Sequence, residues 1–365
     1  MVSTLGRDEI RICGWMGDFD LDGWNCSSLA RLPWIVWTAP VFAIYVHDLN
    51  PIALPIYGGL ALRWYGLAYL MGFVAGFLLL RNLARRGLWV MAPEKVGDFI
   101  AGCALFGVFL GGRLGYIFFY HLPKVGWGTL AEDPLLIFRV WEGGMASHGG
   151  ILGLAIFTWV YARKQKVSWA ALADGLSVVG PLGLFFGRAA NFINGELYGR
   201  VANGVPWAVK FPQSLAQESE ETQALAWQAC TRLNPSLADA KTLDPLIAAA
   251  RQDPKLSETL GEFLPARHPS QIYEGLLEGL LLFVILWVVR NRYPKAPAGL
   301  LTGLFFALYA IFRIIGEQFR EPDAAMVGFL TKGQFFSFFM FLFAGAFFAH
   351  AWRGRVENQE SRIKR

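Results

Sequence analysis

Two arginines lie inside segments that are otherwise apolar enough to cross a bilayer. Arg188 lies within 182–193 (LGLFFGRAANFI), and Arg313 lies within 300–319. A guanidinium stays charged at physiological pH, and placing one at the centre of a bilayer costs at least about 2.5 to 3.5 kcal/mol on insertion scales. Such residues persist where they face a polar cavity with a partner of opposite charge. Both arginines are therefore predicted to bind an anion, and an anionic lipid head group has the right chemistry.

Other polar residues surround the two arginines at helical spacing. Asn191 follows Arg188 by three residues, and Tyr309 and Glu317 lie four residues before and after Arg313. Residues three or four apart share one face of a helix. Further polar side chains stand where apolar segments begin or end: Tyr65, His148, Asn194, Glu196, Glu274 and Glu278. These positions predict a polar site at one side of a membrane.

Each of these residues also has a simpler explanation. Arg188 could extend its charged group to the membrane surface from a helix end. Arg313 and Glu317 could form a structural i,i+4 ion pair. His148, which stands beside glycines, could simply start a helix or donate a hydrogen bond. The set as a whole favours a functional site more strongly than any single member does.

The composition is that of a membrane protein. Hydrophobic residues make up 55% of the 365 residues and charged residues only 17%, against about 25% charged in soluble domains. Phe (30) and Trp (14) are frequent, as expected for surfaces that face lipid and its interface. The net charge is +5, but the basic residues form short clusters between apolar segments instead of one stripe. This pattern argues against a nucleic-acid partner.

Seven segments are each near the length of about 20 residues needed to cross the hydrocarbon core. The predicted spans are 60–80, 97–119, 149–161, 171–193, 271–289, 299–319 and 334–352. The third is short, and we expect it to begin before His148. The sequence therefore predicts an all-α integral membrane protein with about seven transmembrane helices.

Basic residues occupy every second gap between these spans. They follow the first span (Arg81, Arg85, Arg86), the third (Arg163, Lys164, Lys166), the fifth (Arg290, Arg292, Lys295) and the seventh (Arg353, Arg355, Arg362, Lys364, Arg365). Lys and Arg concentrate on the cytoplasmic side. The first span is therefore predicted to begin outside, the C-terminus to be cytoplasmic, and the polar site to face the outer leaflet.

The spans divide the chain into membrane and non-membrane parts. Residues 1–53 form an N-terminal extension, 54–199 carry spans one to four, and 268–352 carry spans five to seven, followed by a basic cytoplasmic tail at 353–365. The gap 200–267 is rich in Pro, Gln, Glu, Asp and Ala, and we predict a small extracytoplasmic cap, part helical and part loop. A disordered insertion is the alternative. The apolar stretch 29–46 could be an extra helix, an interfacial segment or part of an over-extended gene start.

No metal or diffusible cofactor is predicted. Cys13, Cys26, Cys103 and Cys230 lack the CxxC spacing of zinc or disulfide frameworks. There is no HExxH motif, no phosphate-binding P-loop and no ligand-spaced cluster of His, Asp and Glu. Cys103 lies in an apolar span, where we expect it to be a small packing residue.

Five segments, in order along the chain, give the sequence a family resemblance. They are 63–67 (RWYGL), 143–153 (GGMASHGGILG), 187–201 (GRAANFINGELYGRV), 267–274 (RHPSQIYE) and 312–323 (FRIIGEQFREPD). Together they resemble the bacterial prolipoprotein diacylglyceryl transferases over roughly residues 54 to 352. Ala190 stands where a glycine is expected, and the residues before about 45 and the length of the insertion fall outside the likeness.

The resemblance implies a reaction in the bacterial cytoplasmic (inner) membrane. Family members move the diacylglyceryl group of phosphatidylglycerol to the lipobox cysteine of a prolipoprotein signal peptide, which yields a thioether-linked lipid and glycerol phosphate, as the first step of lipoprotein maturation. The implied partners are phosphatidylglycerol, the prolipoprotein and membrane lipids. This chemistry fits the residues, because guanidinium groups bind phosphate oxygens in a bidentate way. An attacking thiol also needs a base, and histidine has a suitable pKa for that task.

The resemblance also assigns roles to individual residues. The implied catalytic group is His148, Arg313, Tyr65, Glu317 and Tyr309, with His148 as the favoured general base and Arg313 as a second phosphate clamp or leaving-group stabiliser. The implied phosphatidylglycerol-binding group is Arg188, Asn191, Asn194, Glu196 and Gly199. Arg188 is assigned to the donor phosphate.

Three other functions are compatible with parts of the sequence. A lipid or organic-anion transporter would bind its substrate near the midplane between related halves, but no internal repeat is visible. A membrane protease would need more than Ser147 adjacent to His148, and no GxSxG motif is present. A non-catalytic scaffold would bind phosphatidylglycerol without releasing glycerol phosphate.

Overall fold

The computed structural model describes residues 44–56, 61–139, 144–322, 328 and 330–363. The predicted N-terminal extension lies largely outside these residues, and so does the end of the basic tail. The helices that build and position the site are numbered in chain order: α1 (Trp64–Arg85), α2 (Pro93–Val125), α3 (Ser147–Gln165), α4 (Trp169–Asn194), α5 (Glu220–Leu233), α6 (Leu243–Ala250), α7 (Pro254–Glu262), α8 (Ser270–Arg292), α9 (Leu300–Gly316) and α10 (Lys332–Ile363).

A helix is present at each of the seven predicted spans, but only part of the set is long and apolar enough to cross a membrane. Within the described residues, five helices meet that description: α1, α2, α4, α8 and residues Gly333–Val356 of α10. Helix α9 is apolar but shorter, with 17 residues, and α3 has 19. Helix α3 begins at Ser147, before His148, as expected. The fold is thus a mostly helical membrane protein with five candidate spans.

The structure is mostly helical, and two small sheets that the predicted all-α class does not include accompany the helices. The strands are β1 (Tyr45–Val46), β2 (Ile52–Pro55), β3 (Ala61–Arg63), β4 (Val209–Lys210) and β5 (Ala266–Arg267). Strand β4 pairs in parallel with β1 and antiparallel with β5, and β2 pairs antiparallel with β3. Strands of two to four residues carry too little periodicity to be recognised in a sequence. The strand β3 also moves the start of the first helix to Trp64.

Glycines bring α2 and α3 into close contact. A Cβ added at Gly111 would lie 2.8 Å from the Cα of Gly153, and one added at Gly115 would lie 2.4 Å from the Cα of Gly149. Small residues at this spacing allow two helix backbones to approach closely within a membrane. This contact fixes the start of α3, where His148 is located.

Helix α4 is the centre of the bundle and packs against α1, α3, α8 and α9. Near its beginning, the buried carboxylate of Asp174 accepts hydrogen bonds from the backbone N–H groups of Gly299 and Thr302, each at 2.8 Å. These bonds satisfy free N–H groups at the start of α9. Cys103 is buried in the apolar core between these helices, which agrees with a packing role.

The insertion at 200–267 is folded. It contains α5, α6 and α7, whose apolar faces meet in a small core of their own around Leu215, Cys230 and Leu256. Helix α5 begins with a hydrogen bond from the backbone N–H of Thr222 to the side chain of Ser219, a typical N-cap. The described residues of the insertion therefore form helices joined by loops.

Candidate active site

The polar residues predicted to act together are brought to one end of the helix bundle. Arg188 lies two turns before the end of α4, and Arg313 lies in the last turn of α9. Glu274 and Glu278 lie in the first turns of α8. Helix α8 runs antiparallel to α4 and α9. Its first turns therefore lie beside the last turns of those two helices.

A pair of buried carboxylates joins the two arginines. Glu274 lies 2.9 Å from Arg188 Nη1 and 3.1 Å from Arg313 Nη1. Glu278 lies 3.2 Å from Arg188 Nη2 and 3.4 Å from Arg313 Nη1. Both glutamate side chains are completely buried, whereas the arginine side chains are 16% and 15% exposed. The carboxylates thus bind both guanidinium groups, while each arginine side chain keeps a small exposed fraction.

A third arginine completes the buried ion-pair cluster. Arg320 lies just beyond α9 and places its Nη1 3.3 Å from Glu274. Arg313 also forms an ion pair with Glu317, four residues later. The cluster therefore contains the guanidinium groups of Arg188, Arg313 and Arg320 and the carboxylates of Glu274, Glu278 and Glu317. Among the described residues, three guanidinium groups thus face three carboxylates, and such pairing is the condition under which ions persist away from water.

The first turn of α10 covers the Arg313–Glu317 pair. A Cβ added at Gly333 would lie 2.2 Å from Glu317 Oε1 and 3.0 Å from Arg313 Nε, so a larger residue there would displace these two side chains. Tyr309 lies one turn before Arg313 and within electrostatic range of Glu278 and both site arginines. Glu317 and Tyr309 thus flank Arg313 on its own helix, as their spacing predicts.

A second polar group lies beside this cluster. The hydroxyl of Tyr65, in the first turn of α1, is hydrogen-bonded to both Glu196 and Asn191. Asn191 Nδ2 also donates to Glu196 Oε1 at 3.0 Å. Tyr65 therefore forms one hydrogen-bonded unit with two predicted site residues that lie 126 and 131 residues later in the sequence.

The chain turns sharply between α4 and the insertion. Gly195 ends α4 with a φ of 71°, and Leu197 has a φ of 57°, a region that non-glycine residues rarely adopt. Two buried side chains of α8 hold this turn, since Gln271 Nε2 donates to the Glu196 carbonyl at 2.7 Å and Ser270 Oγ donates to the Leu197 carbonyl at 3.0 Å. The position of Glu196 is therefore fixed from α8 as well as by Tyr65.

Gly199 and Asn194 differ from the rest of the predicted binding set. The backbone of Gly199 lies between two other segments, and an added Cβ would lie 2.5 Å from the carbonyl oxygens of both His268 and Phe319. Asn194 is engaged through its backbone carbonyl, which accepts a hydrogen bond from Gln213 at 2.8 Å. Gly199 and Asn194 thus both contact their neighbours through backbone atoms.

His148 is near the cluster but is not part of it. It is exposed in the first turn of α3, and its ring lies 5.6 Å from that of Phe336. Phe336 follows Gly333 by one helical turn, so the same end of α10 separates His148 from Glu317. Within the described residues, no hydrogen bond or ion pair joins His148 to the arginine–glutamate cluster.

Sequence reasoning missed several residues of this arrangement. Glu274 and Glu278 are counted among the polar residues at one side of the membrane, but no catalytic or lipid-binding role is predicted for them. Their i,i+4 spacing in an apolar helix matches that of the arginine helix and could have identified them. Arg320 lies within a recognisable motif, whereas Gln271 and Gln213 carry no sequence pattern that points to the site.

The described residues offer no obvious metal site. Among them, no group of three or more His, Cys, Asp or Glu side chains is arranged to hold a metal ion. The glutamates that come together are already paired with arginines.

Comparison with known proteins agrees with this chemistry. A model of the prolipoprotein diacylglyceryl transferase family matches residues 51–350. A phosphatidylglycerol–prolipoprotein diacylglyceryl transferase of Bdellovibrio bacteriovorus is 39% identical over 325 residues, covering 81% of this chain and 91% of the relative. The enzymes of that name from Serratia proteamaculans (39% identical; 86% of this chain, 96% of the relative) and Neisseria gonorrhoeae (38%; 79% and 89%) are similarly close.

The match includes α1 to α9, most of the apolar part of α10 and the described residues of the ion-pair cluster. This chain belongs to the prolipoprotein diacylglyceryl transferase family.

Proposed function

We propose that this chain transfers the diacylglyceryl group of phosphatidylglycerol to the thiol of the lipobox cysteine in a prolipoprotein. The observation that carries the proposal is the convergence of Arg188 and Arg313, from two helices, on the buried Glu274–Glu278 pair. The glutamates orient both guanidinium groups and balance their charge. The accessible edges of the arginines then suit the phosphodiester of the donor lipid.

In the proposed reaction, the cysteine sulfur attacks the glycerol carbon that carries the phosphate. A sulfur–carbon bond forms while the carbon–oxygen bond breaks, and the bonding electrons remain on the phosphate oxygen. Negative charge on the leaving glycerol phosphate therefore grows in the transition state. Arg188 binds the donor phosphate and Arg313 stabilises the leaving oxygen, without reorganisation because both groups are already held in place.

The thiol proton must leave during this step. His148, exposed at the start of α3, is the proposed base, and Glu196 is the next candidate because it lies within the Tyr65–Asn191 unit. Asn191, Asn194, Glu196 and Gly199 support the donor site, and Tyr309 and Glu317 support Arg313. No metal or diffusible cofactor takes part in this scheme.

The proposed orientation places the site toward the outer leaflet of the cytoplasmic (inner) membrane. It rests on seven spanning helices, including the shorter α3 and α9, and on basic residues in alternate gaps. The insertion 200–267 then lies outside as a cap, and the tail 353–365 lies in the cytoplasm. Reporter fusions within 200–267 should be active only outside and fusions after Trp352 only inside. Cytoplasmic activity of a fusion in the insertion would overturn the orientation.

The function is tested directly by supplying both substrates to the purified protein. Incubation with phosphatidylglycerol and a lipobox peptide should release glycerol phosphate and increase the peptide's mass by the diacylglyceryl group. A peptide with serine in place of the cysteine is the matched control and should release none. Lipid binding without release would instead support a non-catalytic scaffold.

Comparing two arginine variants shows whether loss of transfer comes from the candidate site or from the loss of any positive charge. Arg188→Ala should abolish transfer, whereas Arg86→Ala, an exposed arginine at the far end of α1, should not. Near-normal transfer by Arg188→Ala, at normal membrane levels, would mean that Arg188 only extends to the membrane surface.

A further inference from the structure

The insertion 200–267 reaches the candidate site through the side chain of Gln213. Its Nε2 donates a hydrogen bond to the backbone carbonyl of Asn194 at 2.8 Å. A Cβ added at the neighbouring Gly195 would lie 2.6 Å from both amide atoms of Gln213, so the amide lies directly against that glycine. The contact thus falls where α4 ends and immediately before Glu196.

The turn that Gln213 touches contains one unfavourable backbone conformation. Gly195 has a φ of 71°, which glycine adopts without strain, but Leu197 has a φ of 57°. A non-glycine residue keeps such a conformation only when the surrounding structure fixes it. Gln271 and Ser270 contact the turn from α8, and Gln213 contacts it from the insertion.

Gln213 is itself held by buried neighbours. It belongs to the single helical turn Pro212–Gln217, in which Leu215 is completely buried in the core of the insertion. The preceding Phe211 is also completely buried and stacks on Tyr198, with ring centroids 5.6 Å apart. The amide of Gln213 therefore projects from a backbone that is anchored on both sides.

We propose that Gln213 is a positioning residue, which fixes the 194–197 turn so that the Glu196 carboxylate meets Tyr65 and Asn191. The inference rests on the proposed function, in which Glu196 belongs to the donor site. The inference gives the insertion a role in building the site. The folded core of the insertion holds Gln213 in place, and Gln213 supports the 194–197 turn of the proposed donor site through this hydrogen bond.

Substitutions at Gln213 can separate the hydrogen bond from packing. Gln213→Met and Gln213→Glu keep the length of the side chain but lose the N–H donor, whereas Gln213→Lys keeps a donor of similar reach. Gln217→Met, an exposed position in the same turn, is the matched control. We expect kcat/KM for phosphatidylglycerol to fall about tenfold or more in the Met and Glu variants, because a small misplacement of a site residue is costly. The KM for the lipobox peptide should stay unchanged, and the Lys variant should recover much of the loss.

Hydrogen exchange tests the positioning without relying on activity. The Glu196 amide donates to the Asn191 carbonyl at 3.1 Å, and this bond should protect it from exchange in the wild-type protein. Gln213→Met should raise exchange across 194–199, and Gln217→Met should not. If the wild-type protein transfers no lipid, the proposed function fails, but this measurement still decides the role of Gln213.

Two results would overturn the inference. One is unchanged exchange and unchanged kcat/KM in the Met and Glu variants. The other is a loss confined to the amount of folded protein, with the surviving molecules fully active, because that pattern indicates a general contribution to stability and no effect on Glu196.

Discussion

Removing the charge of Glu274 should destabilise the protein more than the same change at any other glutamate of the cluster. Glu274 is completely buried and contacts three guanidinium groups, at 2.9 Å (Arg188), 3.1 Å (Arg313) and 3.3 Å (Arg320). Glu274→Gln keeps the shape but leaves one excess positive charge in the buried cluster. Breaking a buried ion pair in this way costs about 3 to 5 kcal/mol.

Glu278 and Glu321 provide graded comparisons. Glu278 is equally buried but contacts only two arginines, at 3.2 and 3.4 Å, so Glu278→Gln should cost less, about 1.5 to 3 kcal/mol. Glu321 pairs with Arg267 and its side chain is 34% exposed. Glu321→Gln should therefore cost at most about 1 kcal/mol.

Thermal unfolding of the purified protein in detergent, followed by fluorescence, measures this order. At roughly 2 °C of Tm per kcal/mol for a large domain, Glu274→Gln should lower Tm by roughly 6 °C or more, with Glu278→Gln intermediate. Equal Tm values for Glu274→Gln and Glu321→Gln would refute the reasoning, since the buried carboxylate would then contribute no more than an exposed one.

Four further outcomes are expected. Arg188→Lys keeps the charge but loses the planar bidentate group, so transfer should fall at least roughly tenfold in the glycerol phosphate assay; turnover close to wild type would exclude a bidentate contact. His148→Gln should lower transfer about 10² to 10⁴-fold at neutral pH with lipid binding intact and partial recovery as the peptide thiol ionises at higher pH; weakened lipid binding with no recovery at any pH would point to a structural role. Gly153→Ala would place a Cβ 2.5 Å from the Gly107 carbonyl oxygen and should cost about 1 to 3 kcal/mol through overpacking, whereas Gly180→Ala, with nothing within 4 Å, should unfold at nearly the wild-type temperature. Burial lowers the pKa of His47 to about 4 from 6.5, so the unfolded chain binds more protons between these values and stability should fall as the pH drops from 6.5 toward 4; His47→Phe should remove that part of the acid sensitivity, and an identical loss of Tm in both proteins would contradict it.

The amino-acid sequence was sufficient for the class of protein and for much of the site. Apolar length and scarce charge indicate membrane helices because the cost of burying charge in hydrocarbon acts on every residue of a span. The spacing of Tyr309, Arg313 and Glu317 places them on one helix face, which the ion pair of Arg313 with Glu317 confirms. These inferences depend on local periodicity, which a sequence contains directly.

Only the tertiary structure determined which faces meet. The partners of Arg188 and Arg313 are on α8, about 90 and 40 residues away in sequence, and helix periodicity gives the face of each helix but not its neighbour. Glu274 and Glu278 become part of the site because α8 packs in the groove between α4 and α9, where Gly279 permits contact with Phe185. Gln213 joins the site because the insertion folds onto the end of α4. Lateral packing of helices is decided by the fit of many side chains at once, and no single segment of the sequence contains that information.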